Sequence, residues 1–184
     1  MLKENVFQDL ARRLRAGLEE VHRLSSMVGT AMLAAVHLVL NQFTFAVNQF
    51  LEIGFTFLAS AAAAYLYGPW MAGLMGIVTD TLGYFLRPNG AYFPGWTLNE
   101  FLLGFLYGCW LYKKPVTLWR TFAACLSAVL IVNLCLTPLW LHLMYGNAFV
   151  ITGLRLVKNL VKLPIDTALL YTLLKALSAR RQGI

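Results

Sequence analysis

Residues 57–86 read FLASAAAAYLYGPWMAGLMGIVTDTLGYFL, with Asp80 the one charged residue among them. The run is longer than the ~20 residues that cross a hydrocarbon core of ~30 Å as one helix. Gly68-Pro69 divides it, because proline opens a helix readily but cannot continue one. The stretch is therefore read as two membrane helices, Ile53 to Tyr67 and Pro69 to Leu86, joined by a tight uncharged turn.

Further apolar blocks flank this pair, from Leu24 to Leu40, Trp96 to Tyr112, Leu118 to Leu141 and Leu154 to Leu177. The chain of 184 residues is 59% hydrophobic and only 12% charged, against ~25% charged in ordinary soluble domains. The expected fold is an all-α integral membrane protein with six transmembrane helices in residues 24–177, followed by a cytoplasmic tail at 178–184. Residues 1–23 carry Arg12, Arg13, Arg15, Glu19, Glu20 and Arg23 with Val6, Phe7, Leu10, Leu14, Leu18 and Val21 at helical spacing. This segment reads as an amphipathic helix on the inner membrane surface.

A net charge of +7 in a soluble protein would suggest nucleic acid, but the basic residues stand beside apolar blocks and read as topology signals instead. With the amino terminus inside, Lys3, Arg12, Arg13, Arg15, Arg23, Lys113, Lys114, Arg120, Lys175, Arg180 and Arg181 are all cytoplasmic. The outward connections, Asn41 to Glu52, Arg87 to Gly95 and His142 to Gly153, hold only Arg87. The positive-inside rule then places both termini in the cytoplasm.

In the sixth block, Arg155, Lys158, Lys162 and Asp166 follow at steps of three, four and four, which puts them on one helical face. A charge near the bilayer centre costs roughly 2.5 to 3.5 kcal/mol on the lenient insertion scale, so the stripe must face the bundle interior or a polar cavity. One reading is an outward pocket for an anionic solute, with Arg155 and Lys158 as carboxylate partners. The other is that Arg155 snorkels while Lys162 and Asp166 neutralise each other at i, i+4. Asp80, Asn99, Glu100 and Asn133 are further polar residues inside apolar blocks. Asp80 or Glu100 could accept from heterocycle nitrogens or pair with a lysine of the sixth helix. Phe43, Phe45, Phe50, Tyr92, Phe93, Trp96, Tyr145 and Phe149 populate the outward loops, as ligand-stacking rings or as an interfacial belt.

Small residues four apart, Ala31 with Ala35, Gly104 with Gly108 and Ala124 with Ala128, permit close helix contact. Cys109, Cys125 and Cys135 lack CxxC or metal-ligand spacing, so no metal is expected. No GxxxxGK[ST] phosphate loop, HExxH or GxSxG motif occurs, and His22, His37 and His142 are scattered. The chain reads as a non-enzyme without a cofactor, and with no ATPase of its own.

Three segments carry a family resemblance: FLEIGFTFL (50–58), LYGPWMAGLMGIVTDTLGYF (66–85) and RPNGAYFPGWTLNEFLLGFLYGCWLY (87–112). They resemble the folate-type substrate-binding subunits of energy-coupling factor (ECF) vitamin transporters, over roughly Ala31 to Leu177. The resemblance implies a subunit that binds folate from outside and delivers it inward with a transmembrane coupling protein and two ATPases. It assigns the docking role to Ala31 and Ala35, and a lid to the 41–52 loop with Phe43, Phe45 and Phe50. The substrate-binding set expected on this reading is Arg155, Lys158, Trp96, Arg87, Asp80, Glu100, Tyr145 and Asn147. Pantothenate, which also carries a carboxylate, is the competing vitamin. A solo secondary transporter using Lys162 and Asp166 as an ion relay is the competing class, although no inverted repeat is visible.

Overall fold

The structure is a computed structural model that describes the backbone of residues 2–43, 45–48, 51–86, 88, 92–146 and 149–182. Side chains are described within 8–43, 54–86, 88, 92–144, 146 and 158–180. Each predicted apolar block is helical except at the start of the second, where Ile53 belongs to a strand and the helix begins only at Thr56. In chain order the helices are α1 (Leu2–Val21), α2 (Leu24–Gln42), α3 (Thr56–Tyr67), α4 (Pro69–Leu86), α5 (Pro94–Leu111), α6 (Leu118–Ala128), α7 (Thr137–Tyr145) and α8 (Phe149–Gln182). One element was not expected: between α2 and α3 a short antiparallel hairpin, β1 (Phe45–Asn48) and β2 (Leu51–Ile53), pairs Phe45 with Ile53 and Ala46 with Glu52.

The short α3 is the centre of the bundle and packs against α2, α4, α5 and α8. Four successive alanines, Ala61 to Ala64, are all buried, so neighbouring helices approach it from every side. Gly68, at φ +91°, turns the chain directly into α4, a conformation that glycine adopts without a Cβ penalty. Helices α4 and α5 then cross backbone against backbone. A Cβ on Gly76 would fall 2.6 Å from the Glu100 carbonyl carbon, and one on Gly104 would fall 2.6 Å from that of Ala72. Successive contacts run up one helix and down the other, so the pair is antiparallel.

The fifth block forms one helical run, but its middle, Val129–Leu136, widens into a π-helix. Pro138 has no N–H to give the preceding turn, and the Val132 carbonyl accepts both the Thr137 N–H and, at 2.8 Å, the Thr137 hydroxyl. Helix α8 extends beyond its apolar block at both ends and contains Pro164.

The amphipathic α1 is docked on the bundle. The Trp70 indole donates to the Leu14 carbonyl (3.2 Å) and the Arg13 guanidinium to the Cys109 carbonyl (2.9 Å), while Lys114 meets Asp9 at 2.6 Å. The hydrogen bond from Lys114 holds the Asp9 carboxyl below its ordinary pKa range. These contacts put the start of α4, the end of α5 and the basic 113–114 turn at one end of the molecule.

Large apolar side chains face outward around the bundle, among them Leu24, Met32, Phe85 and Leu160, each two-thirds exposed or more. Soluble monomers do not expose apolar surface so continuously. Leu24–Gln42 and Leu118–Met144 are each long and apolar enough to cross a membrane, with mean hydropathy 1.5 and 2.1.

Candidate functional site

Toward the end opposite α1, the helices enclose a cavity of about 440 Å³, within the ~300–1,000 Å³ usual for small-molecule sites. Its wall is built from the second half of α2, the start of α3, the end of α4, the start of α5, the π-helical segment and the middle of α8. The π-helix turns Val129, Val132 and Asn133 toward this space, a common use of such widened turns.

Four of the expected binding residues, Asp80, Trp96, Glu100 and Lys158, line the cavity together. Lys162 and Asp166 line it as well, so the steps of four along α8 do define one inward face. Arg87, Asn147, Phe50 and the side chains of Arg155, Tyr145 and Phe45 lie outside the described residues. Phe43 is 63% exposed at the end of α2 and does not reach the cavity wall.

The polar groups divide into two walls. On α8, Lys162 Nζ lies 3.1 Å from Asp166 Oδ2, donates to the Gly54 carbonyl at 3.3 Å and stands 4.9 Å from the centre of the Phe57 ring. Lys162 thereby ties α8 to the residues that lead into α3. Across the cavity, Thr97 donates to Asp80 Oδ2 at 2.6 Å, and Tyr92 OH stands 2.7 Å from the same threonine oxygen. Glu100, one turn further along α5, lies 3.9 Å from His37 Nε2. Asn99 is committed to the framework: it accepts from the Trp140 indole at 3.0 Å and donates to the Thr137 hydroxyl at 3.2 Å. Aromatic residues close the space between the walls, including Phe57, Tyr84, Phe93, Trp96 and Tyr107.

This arrangement suits an elongated planar molecule, with N–H donors at the carboxylates and an anionic group at the lysines. Among the described residues no cluster of three His, Cys, Asp or Glu side chains could hold a metal ion.

Sequence reasoning missed His37, Asn41, Tyr84, Tyr107 and Asn159, all in the wall. A signal for His37 existed. Ser26, Thr30 and His37 are buried polar residues on an otherwise apolar helix, and with Asn41 they follow at steps of four, seven and four, a single face of α2.

Of the small-residue pairs, Gly104 and Gly108 pack inside against α4, and Ala124 and Ala128 are buried. Ala31 and Ala35 are exposed on α2.

A family profile described as "ECF transporter, substrate-specific component" matches residues 25–174. The chain is 33% identical over 150 residues to the folate transporter FolT of Clostridium novyi (strain NT), covering 81% of this chain and 87% of the relative. It is 30% identical over 151 residues to the folate transporter FolT of Leuconostoc mesenteroides subsp. mesenteroides, covering 78% and 81%. A crystal structure of FolT bound with folic acid is similar to it with a TM-score of 0.76 and 39% identity, over 82% of this chain and 93% of that one.

Proposed function

The chain belongs to the substrate-specific components of ECF transporters, and from that premise we propose that it is the folate-binding membrane subunit of a vitamin importer. Members of this family are membrane-embedded transport components rather than enzymes. The observation that carries the folate reading is the two-walled cavity, taken with the folic acid-bound relative. Folate joins an amino-substituted pterin to an aminobenzoyl ring and a glutamate with two carboxylates. The pterin meets Asp80 and Glu100, the rings lie among Trp96 and its aromatic neighbours, and the tail meets Lys158, with Arg155, Arg87, Tyr145 and Asn147 completing its surroundings. Pantothenate has no heterocycle to engage the acidic wall.

The orientation that fits places six spans across the bilayer, with both termini in the cytoplasm, α1 at the inner surface and the cavity opening outward. The hairpin and its neighbours, including Phe43, Phe45 and Phe50, form the lid. A transmembrane coupling protein docks on α2 through Ala31 and Ala35, and two ATPases supply the energy. Exposure of this pair, where the other small-residue pairs are internal, supports that assignment.

Titration of the detergent-solubilised chain with folate, followed by tryptophan fluorescence, is expected to saturate at nanomolar concentration and to resist competition by pantothenate. Loss of a charge-assisted hydrogen bond of about 1.5 to 3 kcal/mol makes Lys158→Ala weaker by about 10- to 100-fold. An unsaturable signal refutes folate binding, and undiminished affinity in the variant removes Lys158 from the site. For docking, Ala35→Trp is expected to bind folate but to lose co-purification with the coupling protein. Retention of the full complex would place the docking face elsewhere.

A further inference from the structure

His37 and Glu100 form a contact across the cavity wall that the folate reading leaves unused. The imidazole is only 4% exposed. His37 Nδ1, His37 Nε2 and Glu100 Oε2 are all buried without a hydrogen-bond partner among the described residues. Nε2 stands 3.9 Å from Oε2, beyond the ~2.7–3.2 Å of a hydrogen bond, so a movement of roughly 1 Å closes the gap. Buried polar atoms are costly to leave unpaired, and closing this gap pairs Nε2 with Oε2. The Glu100 side chain keeps 30% exposure, which leaves its second oxygen for the cavity.

Asp80 already has such a holder, since Thr97 donates to one of its oxygens, whereas Glu100 Oε2 has none among the described residues. His37 lines the wall, but both of its ring nitrogens are buried. We propose that His37 is a positioning residue: it donates from behind to Glu100 Oε2 and aims the other carboxylate oxygen at an N–H group of an amino-substituted nitrogen heterocycle. This inference rests on the folate reading and adds to it the residue that fixes the acceptor. A carboxylate held at one oxygen cannot turn away from its ligand, so the histidine contributes to affinity only through the glutamate.

The test is a double-mutant cycle on folate affinity in the full chain, with Glu100→Gln, His37→Met and both together, and with His37→Gln as the variant that keeps an N–H donor at similar volume. Each of Glu100→Gln and His37→Met is expected to weaken folate by about 10-fold, and the double variant by no more than the weaker single, because the two act as one unit. His37→Gln is expected to stay within about 3-fold of the unsubstituted chain. Losses that multiply to about 100-fold in the double variant, or His37→Gln binding as poorly as His37→Met, would overturn the positioning role. If His37→Met does not fold, unchanged affinity in Glu100→Gln alone overturns it, and a 10-fold loss there with retention in His37→Gln supports it. Failure of the unsubstituted chain to bind folate is a different result and refutes the folate reading itself.

Discussion

Gly76→Leu is expected to abolish the folded bundle, and Gly104→Leu to do the same from the other side of the same crossing. Both glycines lie where α4 and α5 touch through their backbones. Even one added carbon at Gly76 lands on the Glu100 peptide, and one at Gly104 on the Ala72 peptide. A flexible side chain can move aside from such a clash, but a helical backbone moves only if the whole helix moves. Overpacking a core costs about 1–3 kcal/mol where side chains can repack, so about 3 kcal/mol or more is expected here. The readout is thermal unfolding with size-exclusion monodispersity in detergent. Val78→Leu on the half-exposed outer face of α4 is the control and should change little. Gly76→Ala is the graded case: a smaller drop in melting temperature, with folate affinity lost in excess of the stability change, because the peptide it pushes is that of Glu100. Melting of Gly76→Leu at the temperature of the unsubstituted chain would mean that the helices are not in backbone contact.

The crossing illustrates which parts of the molecule the sequence disclosed. Every long apolar block became a helix, and Gly68-Pro69 became the tight turn between α3 and α4. Hydropathy and proline sterics act locally, so both are legible in a single chain. The α4–α5 contact was only half legible. Gly104 and Gly108 announced a close approach, but spacing does not say against which helix, and their partners on α4 include the ordinary peptides of Ala72 and Pro69. The π-helix has a local cause in Thr137-Pro138, although proline inside a helix is as compatible with a kink as with a widened turn. The hairpin of 45–53 was hidden because its strands are three and four residues long, too short for alternation to register. Amphipathicity in α1 was plain, but its docking depends on single long-range pairs such as Lys114 with Asp9 and Trp70 with the Leu14 carbonyl, which no local pattern encodes.

The site was legible where charge made it expensive. Lys158, Lys162 and Asp166 stood out because an apolar helix does not carry three charges on one face without an inward use for them. Asp80 and Glu100 stood out for the same reason. His37 did not, since a single histidine in an apolar helix is unremarkable until its neighbours Ser26 and Thr30 are seen to share its buried face. Lys162 and Asp166 pair with each other and both also line the cavity, while the Arg155 side chain, on which the two readings of the α8 stripe also differ, lies outside the described residues.

That double role leads to the second large effect. Lys162→Met removes the partner of Asp166, whose side chain is 16% exposed and whose Oδ1 has no hydrogen-bond partner among the described residues. It also strips the donor from the Gly54 carbonyl at the entry to α3. Breaking a fully buried ion pair from one side costs about 3–5 kcal/mol; with Lys162 and Asp166 still 23% and 16% exposed, a loss nearer 3 kcal/mol is expected, read as a fall in melting temperature. The double variant Lys162→Met with Asp166→Leu removes the orphaned carboxylate, and replacing a buried pair by apolar residues is often neutral. Its melting temperature should therefore recover. Folate affinity should not, because on the proposed folate reading the wall that holds Lys158 beside the anionic tail still lacks the second lysine charge. If stability and affinity recovered together, the pair would be structural and Lys158 would be left to hold the anion without Lys162. If neither recovered, the contact from Lys162 to Gly54 would matter more than the ion pair, and the link between α8 and the start of α3 would be what holds the cavity open.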